Sequence, residues 1–320
     1  MMIWLLIHMI LSFTNGELII KRDGMMYQQI RSNGSWDIVD SQSQESSENQ
    51  FIQMVSQTKS NCKCGWSNKR SLTRIVGGDF YKPHKYPFIA GVAMSSGGGW
   101  KPFCGGSILT TYHVLTAAHC TNDVIGLRTQ LAVLLGTYDM TKPNPSAEAL
   151  PVGSVVQHQE FDSKNLLNDI ALLVLSKSIT FNTNIGPVCM PQPGLDITSQ
   201  TVKILGWGAQ KYQGPMTSTP KEMDTKVVPT AQCSALWPGI VPSVRPTQIC
   251  TFSDDASPCG GDSGGPVVWL DPSSSQYTLV GIVSFGDHCT ELKPSVQTKV
   301  VSYIPWIQQQ IQTHTPASTC

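Results

Sequence analysis

The stretch Cys259-Gly260-Gly261-Asp262-Ser263-Gly264-Gly265-Pro266 governs the reading of the whole chain. Glycines stand on both sides of Ser263, so the backbone can bend tightly and present two N–H groups beside the hydroxyl. Nucleophilic catalysis by serine needs that arrangement, an exposed Oγ with oxyanion donors next to it. Two upstream segments offer a base and an acid: Leu115-Thr116-Ala117-Ala118-His119-Cys120 and Asn168-Asp169-Ile170-Ala171-Leu172-Leu173. Read singly, both are ordinary. A histidine beside a cysteine is more often structural than catalytic, and an aspartate opening a strand is usually a turn or cap residue.

Gly261-Asp262-Ser263-Gly264-Gly265 also satisfies G-x-S-x-G, the strand-to-helix turn of α/β-hydrolases, which requires the chain order serine, acid, histidine. Only His288 and His314 follow Ser263, and strand–helix alternation is missing. Short apolar runs instead alternate with Gly, Pro and Asn turn signals. They are Phe88–Ala93, Ser107–Leu109, Leu131–Leu135, Ile170–Leu175, Lys203–Leu205, Pro266–Leu270 and Leu279–Phe285. Such spacing predicts an all-β sandwich or barrel. Only Val301–Gln312 reads as a helix, with Tyr303, Ile304, Ile307 and Ile311 at helical spacing. Residues 75–320 form either one large β domain or two packed barrels.

The 320 residues carry 22 Lys+Arg and 22 Asp+Glu, a net charge of zero. That balance argues against a nucleic-acid partner. At 40% hydrophobic the chain can bury a core, yet no apolar run reaches the length that spans a bilayer, so no membrane partner is expected. Residues 1–16 read as a signal peptide, an apolar stretch from Ile3 to Phe13 ending in small and polar residues. Residues 17–74 read as a propeptide or light chain. Ser41–Gln50 is a solvated run, Phe51–Val55 could form one strand, and Asn33-Gly34-Ser35 is a glycosylation sequon. Ten cysteines without zinc-site spacing read as disulfides in a secreted, extracellular protein. No metal and no cofactor are expected.

His119, Asp169 and Ser263, in that chain order, together resemble the trypsin/chymotrypsin-like serine proteases. The resemblance covers 75–320 and includes Ile75-Val76-Gly77-Gly78, Cys104-Gly105-Gly106-Ser107-Ile108, Gly206-Trp207-Gly208 and Val283-Ser284-Phe285-Gly286. It implies an all-β fold of two packed six-stranded antiparallel β-barrels with a C-terminal helix. It implies that Ser263 attacks the scissile carbonyl, that His119 relays the proton, and that Asp169 holds His119 in the useful tautomer. The N–H groups of Gly261 and Ser263 would form the oxyanion hole, with the Ser284 hydroxyl near Asp169. Cleavage after Arg74 by an activating trypsin-like protease would free the α-amino group of Ile75 to pair with Asp262. The implied disulfides are Cys104–Cys120, Cys233–Cys250, Cys259–Cys289 and Cys64–Cys189, the last tethering the light chain of a monomer. Cys62 and Cys320 remain, to pair with each other or with another chain. One further bridge of the family is missing at both ends, where Val202 and Trp269 stand.

For the substrate pocket the resemblance places Ser257 at the base and Gly286 and Ser295 on the walls, with Gln297 where an aromatic is common. Cleavage after apolar or medium-sized residues of protein or peptide substrates follows, of chymotrypsin or elastase type. Thr137 stands where a calcium-loop acid is usual. Cys62-Lys63-Cys64-Gly65-Trp66-Ser67-Asn68 resembles the junction in arthropod proteases, among them insect venom serine proteases, that carry an upstream CUB module. Residues 17–60 are too few for that module, of which Phe51–Val55 would be the last strand. The alternative reading is a catalytically silent protease homologue acting as a binding or cofactor protein. An α/β-hydrolase-type esterase is a third, and would need a parallel sheet.

Overall fold

The computed structural model describes residues 10–14, 17–22, 25–32, 35–40, 63–68, 79–80, 82–122, 124, 130–141, 147–244, 246–290 and 292–320. Asn33, Cys62, Arg74 and Ile75, with the solvated run and the Phe51–Val55 strand, lie outside these residues. The chain divides into two compact units, Met1–Asn61 and Cys62–Cys320. In the first, β1 (Ile10–Thr14), β2 (Glu17–Arg22), β3 (Met25–Ser32) and β4 (Ser35–Asp40) pair antiparallel in chain order.

The second unit holds two barrels. The first consists of β6 (Ile89–Ser96), β7 (Gly99–Ile108), β8 (His113–Thr116), β9 (Leu131–Leu135), β10 (Glu148–Gln157) and β11 (Ala171–Leu175). They close in the order β10-β11-β8-β7-β6-β9. The second consists of β12 (Thr201–Gly206), β13 (Lys221–Val228), β14 (Gln248–Phe252), β15 (Pro266–Leu270), β16 (Tyr277–Phe285) and β17 (Ser295–Lys299). Their order is β12-β15-β16-β17-β14-β13, and pairing of β12 with β13 completes the ring. A two-residue β5 (Asp79–Phe80) adds to the edge of β13. The expected all-β pair of six-stranded antiparallel barrels is therefore the observed architecture.

Closing a sheet requires strands to bend, and bulges supply the bend. Register shifts leave an extra residue at Gly153 in β10, at Phe103 in β7 opposite Val92 and Ala93, and at Ser284 in β16. Strand β11, Ala-Leu-Leu-Val-Leu, is buried throughout, so it reads as a continuous apolar run rather than an alternating one. The largest apolar cluster takes residues from both barrels, among them Leu115, Leu172, Leu205 and Ile282. A second cluster fills the other barrel with Val202, Ile204, Val267 and Val283, and Trp269 packs on it. The β12–β15 register pairs Lys203 with Val268, and its continuation sets Val202 opposite Trp269. An apolar cross-strand pair thus stands where the resemblance would put a disulfide.

Four disulfides join Cys64 to Cys189, Cys104 to Cys120, Cys233 to Cys250 and Cys259 to Cys289, and Cys320 is also disulfide-bonded. The first belongs to a docked segment. Gly65 N–H donates to Pro187 O at 2.9 Å, and Tyr277 N–H donates to Gly65 O at 2.7 Å. Asn68 Nδ2 donates to the carbonyls of His84 and Thr183, each at 2.7 Å.

Helix α1 (His119–Asn122) is a single turn, and α2 (Thr230–Leu236) carries Cys233. Helix α3 (Ile304–Thr313) buries Ile304, Trp306, Ile307 and Ile311 and is followed by residues 314–320. The sequence places the helix start at Val301, but Val300–Tyr303 is a 3₁₀ turn. Pro305 explains the difference: proline is preorganised for the first turn of an α-helix, where it needs no N–H partner.

Candidate active site

His119 opens α1 three residues after the last residue of β8, and Asp169 stands two residues before the first of β11, which pairs with β8. Two neighbouring strands therefore deliver both residues to one end of the first barrel. The Cys104–Cys120 bridge ties α1 to β7. His119 Nδ1 lies 2.7 Å from Asp169 Oδ2, and the His119 backbone N–H donates to Asp169 Oδ1 at 2.8 Å. The Asp169 side chain is fully buried, whereas that of His119 is 26% exposed. A buried carboxylate is costly unless donors surround it. Here the Ser284 hydroxyl adds a third donor, at 2.5 Å from Oδ2. The outward imidazole is thus held from behind by a shielded carboxylate.

Ser284 reaches Asp169 because of the bulge in β16. Val283 pairs with Gln297 and Phe285 with Val296, which leaves Ser284 without an opposite residue. Bulges re-aim side chains in this way. Further residues brace the Asn168-Asp169 pair, and the sequence reading assigned none of them that role. Thr298 Oγ1 donates to Asp169 O at 2.7 Å, and Tyr303 Oη donates to Asn168 Oδ1 at 2.8 Å. Asn168 itself has φ 52°, a left-handed conformation that asparagine tolerates better than most residues. The signal available in sequence was an asparagine immediately before the aspartate.

Ser263 lies in a tight turn closed by Gly265 N–H to Asp262 O at 2.9 Å. Two strands clamp that turn: Gly264 N–H donates to Val283 O at 2.8 Å, and Gly105 N–H donates to Ser263 O at 2.8 Å. A methyl added at Gly264 would fall 2.2 Å from Thr116 Oγ1 and 3.1 Å from Ala117 N. The serine turn therefore presses on the end of β8, just ahead of His119. Among the described contacts no hydrogen bond joins Ser263 Oγ to His119. Such bonds are often long in apo enzymes and tighten with substrate.

Asp262 points away from the turn, between Gly206 and Gly208. A methyl at either glycine would lie 2.1 Å from one of its carboxylate oxygens. Gly208 N–H donates to Oδ1 at 2.8 Å and Cys259 N–H to Oδ2 at 3.0 Å. Burial nevertheless pushes this carboxyl up to about 6, with those N–H groups and the charge of Lys221 pulling against it.

Around the second barrel's mouth, a methyl at Gly286 would meet Ser295 Cβ at 3.6 Å, so these two residues face each other. Ser257, Thr251 and Ser295 line one cavity with Thr225 and Lys293. Beneath it, Gln297 Nε2 donates to Ser295 Oγ at 2.8 Å and to Thr251 Oγ1 at 3.1 Å. The Cys259–Cys289 bridge links the Ser263 segment to the Gly286 side of this region. Cys104, His119 and Cys120 come close enough together to suggest a metal site, but the two sulfurs are bonded to each other and offer no thiolate.

A family model described as Trypsin matches residues 75–307, which takes in both barrels and all of these residues. The chain belongs to the trypsin family. Among curated proteins, this trypsin-family chain is 31% identical over 265 residues to "Venom serine protease" of Polistes dominula, covering 80% of this chain and 92% of that protein. It is 33% identical over 258 residues to "Venom serine protease 34" of Apis mellifera, covering 78% of this chain and 61% of that protein. It is also 30% identical over 259 residues to "Clotting factor G beta subunit" of Tachypleus tridentatus, covering 77% and 82% of the two chains. The family is one of serine proteases, hydrolases that act on proteins.

Proposed function

We propose that this trypsin-family chain is a secreted serine endopeptidase made as a zymogen and activated by cleavage after Arg74. The observation that carries the reading is the buried Asp169 bonded to His119 Nδ1 at 2.7 Å, with the Ser263 turn packed on the same strand end. Ser263 Oγ attacks the scissile carbonyl while His119 accepts its proton. Asp169 stabilises the imidazolium and fixes its tautomer. The N–H groups of Gly261 and Ser263 receive the developing oxyanion. Collapse of the tetrahedral species, with His119 protonating the leaving amine, gives an acyl-enzyme that water then hydrolyses.

Activation follows from the electrostatics of Asp262. Among the described residues, burial outweighs the backbone N–H groups and the charge of Lys221 and raises this carboxyl to about 6. The α-amino group of Ile75, freed by cleavage, would supply a cationic partner and order the oxyanion turn. The activating enzyme has trypsin-like specificity, because the residue before the bond is arginine. The Cys64–Cys189 bridge keeps the light chain attached afterwards. Ser257, Gly286 and Ser295 set a preference for apolar or medium-sized residues before the scissile bond, with no acid present to select lysine or arginine. The named relatives support a secreted venom or clotting-type role, and Asn33 is the glycosylation site.

The test is labelling with a fluorophosphonate before and after cleavage at Arg74, with Ser263→Ala as control. Labelling of cleaved protein alone, and only with Ser263 present, is the expected result. A correctly cleaved, folded protein that does not label would be a silent homologue, and its function would be binding.

A further inference from the structure

We propose that Met216 is a positioning residue for the oxyanion donor Gly261, and that oxidation of its thioether by a peroxide lowers the enzyme's turnover. The inference rests on the protease reading above and concerns the residue that holds its oxyanion hole in shape.

The hairpin of residues 207–217 makes three successive contacts with residues 260–262. Gly208 N–H donates to Asp262 Oδ1 at 2.8 Å, and Ala209 N–H donates to Gly260 O at 2.8 Å. The third contact is a side chain. A methyl added at Gly261 would lie 2.7 Å from Met216 Cγ and 3.0 Å from both Sδ and Cε. The methionine thus occupies the space that a side chain on Gly261 would need. Met216 is itself set by a bridge to Ala209 and by Thr217 N–H donating to Trp207 O at 2.9 Å, and it packs on the main apolar core.

Gly261 has φ +98°, a conformation glycine adopts freely and other residues rarely. It has no side chain with which to anchor its own peptide. A methyl at Gly260 would meet nothing within 4 Å, so on that side the peptide carrying the Gly261 N–H is held by the Ala209 N–H bond to Gly260 O and not by side-chain packing. Met216 is the packing at its other end. An oxyanion donor acts only if it already points at the place where charge will develop. Loosening Met216 would leave the Gly260–Gly261 peptide hinged on the Ala209 N–H bond to Gly260 O, able to rock its N–H off that direction, with little effect on ground-state substrate binding.

The sulfur supplies a chemical handle on this contact. A peroxide transfers one oxygen to Sδ, its O–O bond breaks, and water or an alcohol leaves; the thioether is oxidised by two electrons and the peroxide reduced by two. The sulfoxide is polar and bulkier, so the apolar contact with Gly261 is lost. Met216 is half-buried, within reach of a small oxidant.

The experiment uses the full chain cleaved after Arg74 as wild type, Met216→Ala and Met216→Leu. Removing one oxyanion donor costs about 100- to 1,000-fold. Disordering one in Met216→Ala is expected to lower kcat about tenfold, with KM within about twofold. Met216→Leu, which restores the volume, is expected to keep kcat within about twofold of wild type. Hydrogen peroxide is expected to lower kcat of the wild type and to spare Met216→Leu. An unchanged kcat in Met216→Ala, or equal peroxide loss in wild type and Met216→Leu, overturns the proposal. If Met216→Ala does not fold, the peroxide comparison decides alone. A cleaved wild type that does not react with fluorophosphonate overturns the protease reading and this one with it; a reactive wild type with either negative result overturns this one alone.

Discussion

Asp262 and Ser284 show how single residues carry the electrostatics of the site. Burial raises the Asp262 carboxyl from 3.8 to about 6. Between those two values the folded chain binds more protons than the unfolded one, so stability falls as pH rises through the window. The full effect is about 3 kcal/mol. In the uncleaved chain, melting temperature should therefore drop between pH 4 and pH 7, and Asp262→Asn should flatten that drop. After cleavage at Arg74 the new amino group should also flatten it; an unchanged slope would remove the ion pair from the activation scheme. Ser284→Ala takes one of three donors from a buried carboxylate, and hydrogen bonds to charged groups contribute about 1.5–3 kcal/mol. It should lower kcat roughly tenfold or more, with KM little changed. Asp169→Asn should be worse by orders of magnitude, because the wrong tautomer of His119 would face Ser263.

At the scale of elements, the bulge in β16 and helix α3 do different work. The bulge aims Ser284 at Asp169 and so couples the second barrel to a carboxylate on the first. The helix seals the chain end against the core through Ile307 and Ile311, both essentially inaccessible. Ile307→Ala leaves a cavity worth about 2–5 kcal/mol, so thermal unfolding should shift down while His119–Asp169 geometry, and hence fluorophosphonate reactivity below the melting point, is retained. The apolar runs of these elements were legible in the sequence, because a buried strand and an amphipathic helix have different periods. Their bends were not. A bulge at Ser284 is defined by what stands opposite on β17, residues far away in the chain.

At the scale of the molecule, the Cys64–Cys189 bridge and the hydrogen bonds around Gly65 and Asn68 join the segment before residue 75 to the body of the protease domain. After cleavage at Arg74, a non-reducing gel should show no change in mass, and a reducing gel two chains. Cys64→Ser should release the light chain only if no other bridge reaches it. By itself the sequence determined the candidates for the proposed chemistry: which serine sits among glycines, which histidine and aspartate precede it, and through the resemblance an all-β pair of barrels. Those properties are local, written in residue type and order. The resemblance already put the Ser284 hydroxyl near Asp169 and Val202 and Trp269 at the ends of a missing bridge; the tertiary structure alone decided that a bulge in β16 does the aiming, that Thr298 and Tyr303 converge on the Asn168-Asp169 pair, and that Met216 lies against Gly261. Each depends on register and closure between distant strands, and contacts of that kind have no signature in the order of residues along one chain.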